Sequence, residues 1–188
     1  MDQDQQPPSP VALTTSALIF YSLMALIGAW LISVQGFDPL QSIFGSGDQV
    51  LRDTIIGALA GLGVVALSRL GLRLESVRRL NAELRDMLGR PGSGSIALLA
   101  VSSSVGEEIL FRGALQPLIG FVPSAIIFAL LHGGFKARLR LWALFALAAG
   151  ILLGALTLWT DNLLASILCH LTVNYFNLHT VVDLEEAP

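Results

Sequence analysis

Charge is scarce in this chain. Asp, Glu, Lys and Arg supply 13% of its 188 residues, 54% are hydrophobic and the mean hydropathy is +0.70. A soluble domain carries about a quarter charged residues, so an ordinary globular class is excluded. Cysteine is scarcer still. The single Cys169 excludes an intramolecular disulfide, and in its apolar run it reads as a small packing residue. There is no basic stripe of the kind that binds nucleic acid, and the net charge of -3 adds little. The opening stretch MDQDQQPPSP lacks Lys and Arg, and the apolar run behind it is long for a signal core. A retained first span behind a short disordered tail is expected instead of a cleaved leader. Period-two alternation is missing from the apolar runs, which argues against a membrane barrel.

Long apolar runs are what the chain does have. Each is about twenty residues, enough to cross a hydrocarbon core of about 30 Å as a helix. Backbone groups in lipid must be satisfied within their own segment, which favours helices. The expected fold is all-α: a polytopic membrane helical bundle of about six transmembrane segments plus one interfacial amphipathic helix. The spans are expected over residues 11–34, 53–72, 95–118, a short 124–132, 141–159 and 163–178. QGFDPLQSIFGSGDQ reads as a polar, Gly-rich loop between the first two.

The strongly charged stretch LRLESVRRLNAELRDMLGRPGSGS combines apolar residues near a helical period with Arg73, Arg78, Arg79, Arg85 and Arg90. That pattern fits an amphipathic connector at the membrane surface. KARLR is a second basic loop. Basic loops favour the cytoplasmic side, and with six spans these two fall on the same side, so both termini are expected there. Gly57 and Gly61 have the spacing that lets membrane helices approach closely, though glycine in such helices is also simply tolerated. Trp142 and Trp159 flank the fifth span about 25 Å apart, as interfacial aromatics do.

The ionisable and amide side chains inside the spans are Glu107, Glu108, Arg112, His132, His170 and Asn174. A charge in the bilayer interior costs from about 3 to over 10 kcal/mol, faces the bundle interior and marks function. Glu108 and Arg112 are four apart on one helix face and can pair. Glu107 is rotated about 100° away and cannot share that arginine equally. It is the carboxylate left free to serve as a general base. His170 and Asn174 are again four apart, and both can donate to a developing oxyanion. His132 ends the short fourth segment beside Gly133 and Gly134. Together these groups suit water activation and carbonyl hydrolysis. A structural polar network and a proton path are the competing readings. No inverted repeat supports a transporter, and no Ser–His or Ser–Lys spacing makes Ser102, Ser103 or Ser104 a nucleophile. Asp161 and Asn162 read as turn residues, and His179 as an interfacial one.

Three motifs in this set resemble a known family. EEILFR (Glu107 to Arg112) is similar to the EExxxR motif of the CAAX protease and bacteriocin-processing family, type II CAAX prenyl endopeptidase-like membrane proteins. FALLH (Phe128 to His132) is similar to its FxxxH motif, and HLTVN (His170 to Asn174) to its HxxxN motif. All three occur in order. The resemblance implies an intramembrane protease core over residues 95–178, behind two transmembrane helices and a cytoplasmic connector over 11–94. Tails are expected at 1–10 and, acidic, at 179–188.

Carried over by position, Glu107 and His132 would activate water, His170 and Asn174 would stabilise the oxyanion, and Glu108 and Arg112 would support the site. The reading favours a glutamate-dependent mechanism with no cofactor. A zinc-dependent version would draw on Glu107, His132 and His170, although no HExxH is present. The expected partners are membrane lipids and a peptide or protein substrate, prenylated or membrane-anchored, with no nucleic acid. The expected location is a bacterial inner membrane. A non-catalytic immunity or scaffold protein that binds peptides in the same cavity is the alternative function.

Overall fold

The structure is a computed structural model that describes residues 10–183. The expected N-terminal tail lies outside the described residues except for Pro10, and the acidic tail lies outside them beyond Asp183. No strand occurs among the described residues. α1 (Pro10–Val34) begins on a proline, whose missing N–H is one the first turn leaves unpaired anyway. α2 (Pro39–Phe44) interrupts the expected loop. Asp38 caps it by accepting from the Gln41 N–H at 2.9 Å, and Pro39 presets the first turn.

α3 (Val50–Gly71) is followed by the amphipathic α4 (Glu75–Leu88). α5 (Ser93–Glu108) passes without a break through a π-helical stretch, Ile109–Leu115, into α6 (Gln116–Ile119). α7 (Phe121–Ala129) widens into a second π stretch, Leu130–Gly134, which ends in a kink. His132 has φ -83°, ψ 31° there, and Gly133 has φ 95°, a value that glycine adopts without strain. α8 (Arg140–Thr160) and α9 (Leu164–Asp183) complete the chain. α9 runs past the expected end of the last span.

Four helical segments are long and apolar enough to cross a membrane: 11–34, 50–71, 93–119 and 137–160. The α7 segment is apolar but short, and α9 is not among the four. His170, Asn174, Asn177 and His179 interrupt the apolar run of α9. Large side chains such as Leu26, Trp30, Leu67 and Trp159 point outward, each more than 60% exposed. That surface is costly in water and suited to lipid. The chain is an integral membrane protein.

Apolar burial drives little helix association in lipid, so close packing and polar contacts must hold the bundle. α3 packs on α9 through the Gly57–Gly61 pair. A Cβ on Gly57 would strike the Ala165 carbonyl, and one on Gly61 would lie 2.6 Å from Thr172 Cβ. Of the two readings left open for that pair, close helix approach is the one observed. Phe111, Phe128, Ala129 and Ala146 tie α7 and α8 to the π stretch. Cys169 is buried against Leu153 and Leu156, as a packing residue.

A polar latch closes the α8–α9 turn. Fully buried Asp53 accepts from Arg52 Nε at 2.7 Å and from Asn162 Nδ2 at 2.6 Å. Asn162 Oδ1 accepts from the Leu164 N–H at 2.9 Å, which caps the start of α9. Asn162 is therefore a tertiary anchor as well as a turn residue. At the other end, α4 turns Val77 and Leu80 inward. Arg138 lies 3.9 Å from Glu83, which brings the two basic segments together.

Candidate active site

All six polar residues singled out in the spans lie near one another at the meeting of α5, the two π stretches and α9. Glu107 and Glu108 are the last residues of α5, and both are buried. Arg112 follows in the π stretch, where its Nη1 donates to Glu108 Oε1 at 3.0 Å. Both partners are sealed from solvent. The guanidinium also reaches the Gly150 carbonyl at 3.4 Å and lies over the Phe128 ring at 4.3 Å. A cation buried in this way needs several partners, because a single carboxylate does not repay its desolvation.

Glu108 Oε1 has a second ligand in His170 Nδ1, 2.8 Å away. His170 Nε2 then faces Glu107 Oε2 at 3.8 Å. His132 approaches the same oxygen, with its Nε2 at 3.7 Å. Its Nδ1 is 2.8 Å from the Phe128 carbonyl, four residues back in the chain. A carbonyl only accepts, so Nδ1 carries a proton, and in the neutral ring the lone pair is then at Nε2. His170 has the same polarity while Glu108 is ionised against Arg112. Both rings thus aim Nε2 at a buried carboxylate. Glu107 Oε2 itself is buried without a hydrogen-bond partner among the described residues.

Asn174, one turn beyond His170, donates to Ser103 Oγ at 2.9 Å. Packing locks the histidines further. The Phe128 ring stacks obliquely on His132 at 4.2 Å, and Trp142 meets His132 edge-on at 5.4 Å. Trp142 therefore walls the site in addition to flanking its span. The π stretch frees backbone carbonyls, and these find donors. Ser124 Oγ donates to the Phe111 carbonyl at 3.1 Å, and Gln35 Nε2 to the Ala114 carbonyl at 3.3 Å. Such wide turns are frequent at functional sites.

Residues 92–176 match the family described as type II CAAX prenyl endopeptidase Rce1-like. The matched stretch holds every one of the six residues. That stretch is similar to the Rce1-like family. The Rce1-like segment is a little under half of the chain, and α1, α2, α3 and α4 lie outside it. The uncharacterized protein YpbD of Bacillus subtilis (strain 168) is 36% identical over 81 residues, which cover 42% of this chain and 41% of YpbD. The chain thus spans about two fifths of the length of that relative. No solved structure matches the chain.

Zinc in a tetrahedral site binds at about 2.0–2.1 Å, which places its ligand atoms about 3.4 Å apart. The two histidine nitrogens stand 3.7 and 3.8 Å from Glu107 Oε2, and no group of three His, Cys, Asp or Glu among the described residues is arranged to hold a metal ion. As placed, the trio does not fit zinc.

Sequence reasoning missed three neighbours of the site. Ser103 fits the hydrogen-bonding role expected of the three serines, but nothing in the sequence names Asn174 as its partner. Phe128 was seen only as a motif letter. Tyr21, on α1, brings its phenol beside the Glu107 carboxylate. Its one signal was a lone phenol in an otherwise apolar span, which needs a polar partner.

Proposed function

We propose that the chain is an intramembrane endopeptidase that hydrolyses peptide bonds in membrane-associated or lipidated substrates. The observation that carries this reading is the convergence of His132 Nε2 and His170 Nε2 on one buried oxygen of Glu107. Glu107 and His132 take up a water molecule, and the Glu107 carboxylate accepts its proton as the oxygen attacks the scissile carbonyl. The tetrahedral oxyanion is stabilised by Asn174 and by His170. His170 donates once the proton taken from water is shared between Glu107 Oε2 and its Nε2, 3.8 Å apart. The proton held on Glu107 then passes to the departing amine. Glu108 and Arg112 orient His170 without touching the reacting atoms.

The mechanism is read without a catalytic metal, in keeping with the spacing of the trio. Activity that survives chelation, in protein that carries no stoichiometric zinc, is the expected result. Stoichiometric zinc with loss of activity on chelation would replace it with the zinc version. We read α7 and α9 as membrane-embedded beside the four long spans, six segments in all, with both termini cytoplasmic in a bacterial inner membrane. The partners are membrane lipids and a peptide or protein substrate, prenylated or membrane-anchored.

The test is cleavage of a membrane-anchored peptide library by detergent-purified protein, with farnesylated and unmodified C-terminal peptides as separate arms. Glu107→Ala and His132→Ala should abolish cleavage in protein that stays folded. Cleavage by either variant at the normal rate sinks the mechanism. Full biological activity in Glu107→Ala would point instead to a non-catalytic immunity or scaffold role.

A further inference from the structure

We infer that Tyr21 is a positioning residue for Glu107, contributed to the site by a helix outside the Rce1-like segment. The inference rests on the peptidase reading above. α1 is set against α5 at the level of Glu107. A Cβ on Gly106 would lie 2.5 Å from the Tyr21 carbonyl oxygen and 3.2 Å from Tyr21 Cβ. The two backbones therefore touch one residue before the carboxylate, and Gly106 is what permits it. Tyr21 turns inward and is partly buried, while Phe20 and Leu23 beside it face outward. A phenol within an apolar span needs a hydrogen-bond partner, and the carboxylate beside this one is Glu107.

The chemistry of the other neighbours explains why that contact matters. Both histidines commit their Nδ1–H elsewhere, His132 to the Phe128 carbonyl and His170 to Glu108. In the neutral state their Nε2 atoms are acceptors, so neither can donate to the Glu107 carboxylate. The Glu108 carboxylate cannot either. The Tyr21 phenol, set beside the carboxylate, is placed to donate. A glutamate side chain has three rotatable bonds, and a fixed donor on the carboxylate restricts which oxygen meets the histidines. The role is orientation, with the phenol keeping its proton throughout.

The experiment compares wild type, Tyr21→Phe and Glu107→Gln in detergent, using the cleaved peptide from the library above. Tyr21→Phe keeps the ring and its packing, so Tm by tryptophan fluorescence should not move. We expect kcat to fall about 10- to 100-fold with KM within about twofold of wild type. The infrared carboxylate band of 13C-glutamate-labelled protein that disappears in Glu107→Gln should shift in Tyr21→Phe. A wild-type kcat in Tyr21→Phe overturns the inference, as does a loss of activity that tracks a lower Tm while the band stays put. The two readings fail separately. If Glu107→Gln still cleaves, the peptidase reading falls and Tyr21 falls with it. If Glu107→Gln is dead and Tyr21→Phe is fully active, only the role of Tyr21 is lost.

Discussion

The latch at the α8–α9 turn and the cluster around Glu107 are both buried and both built on a carboxylate, but they are finished differently. In the latch each Asp53 oxygen has a donor, from Arg52 and Asn162, and Asn162 Oδ1 caps α9. In the cluster, Glu107 Oε2 and Glu108 Oε2 are buried without hydrogen-bond partners among the described residues. A closed polar network specifies structure, and an open one holds groups whose needs the protein leaves unmet. On the proposed function, the latch serves stability and the cluster chemistry. It can be attacked from both sides.

The largest effect is expected at Glu107. Glu107→Gln keeps the shape and removes the base, so cleavage should drop about 100- to 10,000-fold, with Tm held within error. A large fall in Tm would mean that the cluster is structural after all, and the contrast would collapse. Arg112→Met comes next and should damage both properties. It leaves Glu108 buried without its cation, at a cost of about 3–5 kcal/mol, and releases the oxygen that orients His170. Urea or thermal unfolding in detergent would reveal this. Unchanged stability would show that His170 alone is enough for Glu108.

Much of this was legible in the residues, and the reason is locality. Apolar runs and charged breaks located α1, α3 and α8 within a few positions, because length and composition are local signals. The four-residue spacing predicted the Glu108–Arg112 pair, observed at 3.0 Å, and separated it from Glu107. Contacts across the sequence were not legible. Asp53 and Asn162 are 109 positions apart, and each looks like an ordinary helix start or turn residue by itself. Ser103 and Tyr21 gain meaning only once α9 and α1 are laid against α5. The π stretches were hidden too, since no residue pattern marks a turn widened by one residue. α9 shows the opposite failure of scale. The polar residues that make it interesting lower its hydropathy, so it is not among the helices that composition alone marks as spans.

Asn162→Ala tests the latch from the other side. It strips a donor from a sealed carboxylate and uncaps α9, at a cost of about 1–3 kcal/mol. Tm should fall while kcat per folded molecule stays at the wild-type level. A selective loss of kcat at constant Tm would mean that the latch reaches the site by setting the pitch of α9, and the two regions would then be one.

The smallest effect is expected at Ser103, and it is the finest test of the contrast because this residue sits on its border. Ser103 is buried, donates to the Ala100 carbonyl at 3.3 Å and accepts from Asn174 at 2.9 Å. Ser103→Ala removes both, and the neutral hydrogen bond from Asn174 is worth about 0.5–1.5 kcal/mol of that loss. If Asn174 is an oxyanion donor, that amount should appear in kcat as a decrease of roughly 2- to 10-fold, because a loosened amide points less often at the developing charge. If Asn174 only ties α9 to α5, the same amount should appear in Tm and leave kcat alone. Ser103→Thr, which keeps the hydroxyl, should behave as wild type in the first case. Parallel kcat and Tm measurements on the two variants therefore decide on which side of the border Asn174 belongs.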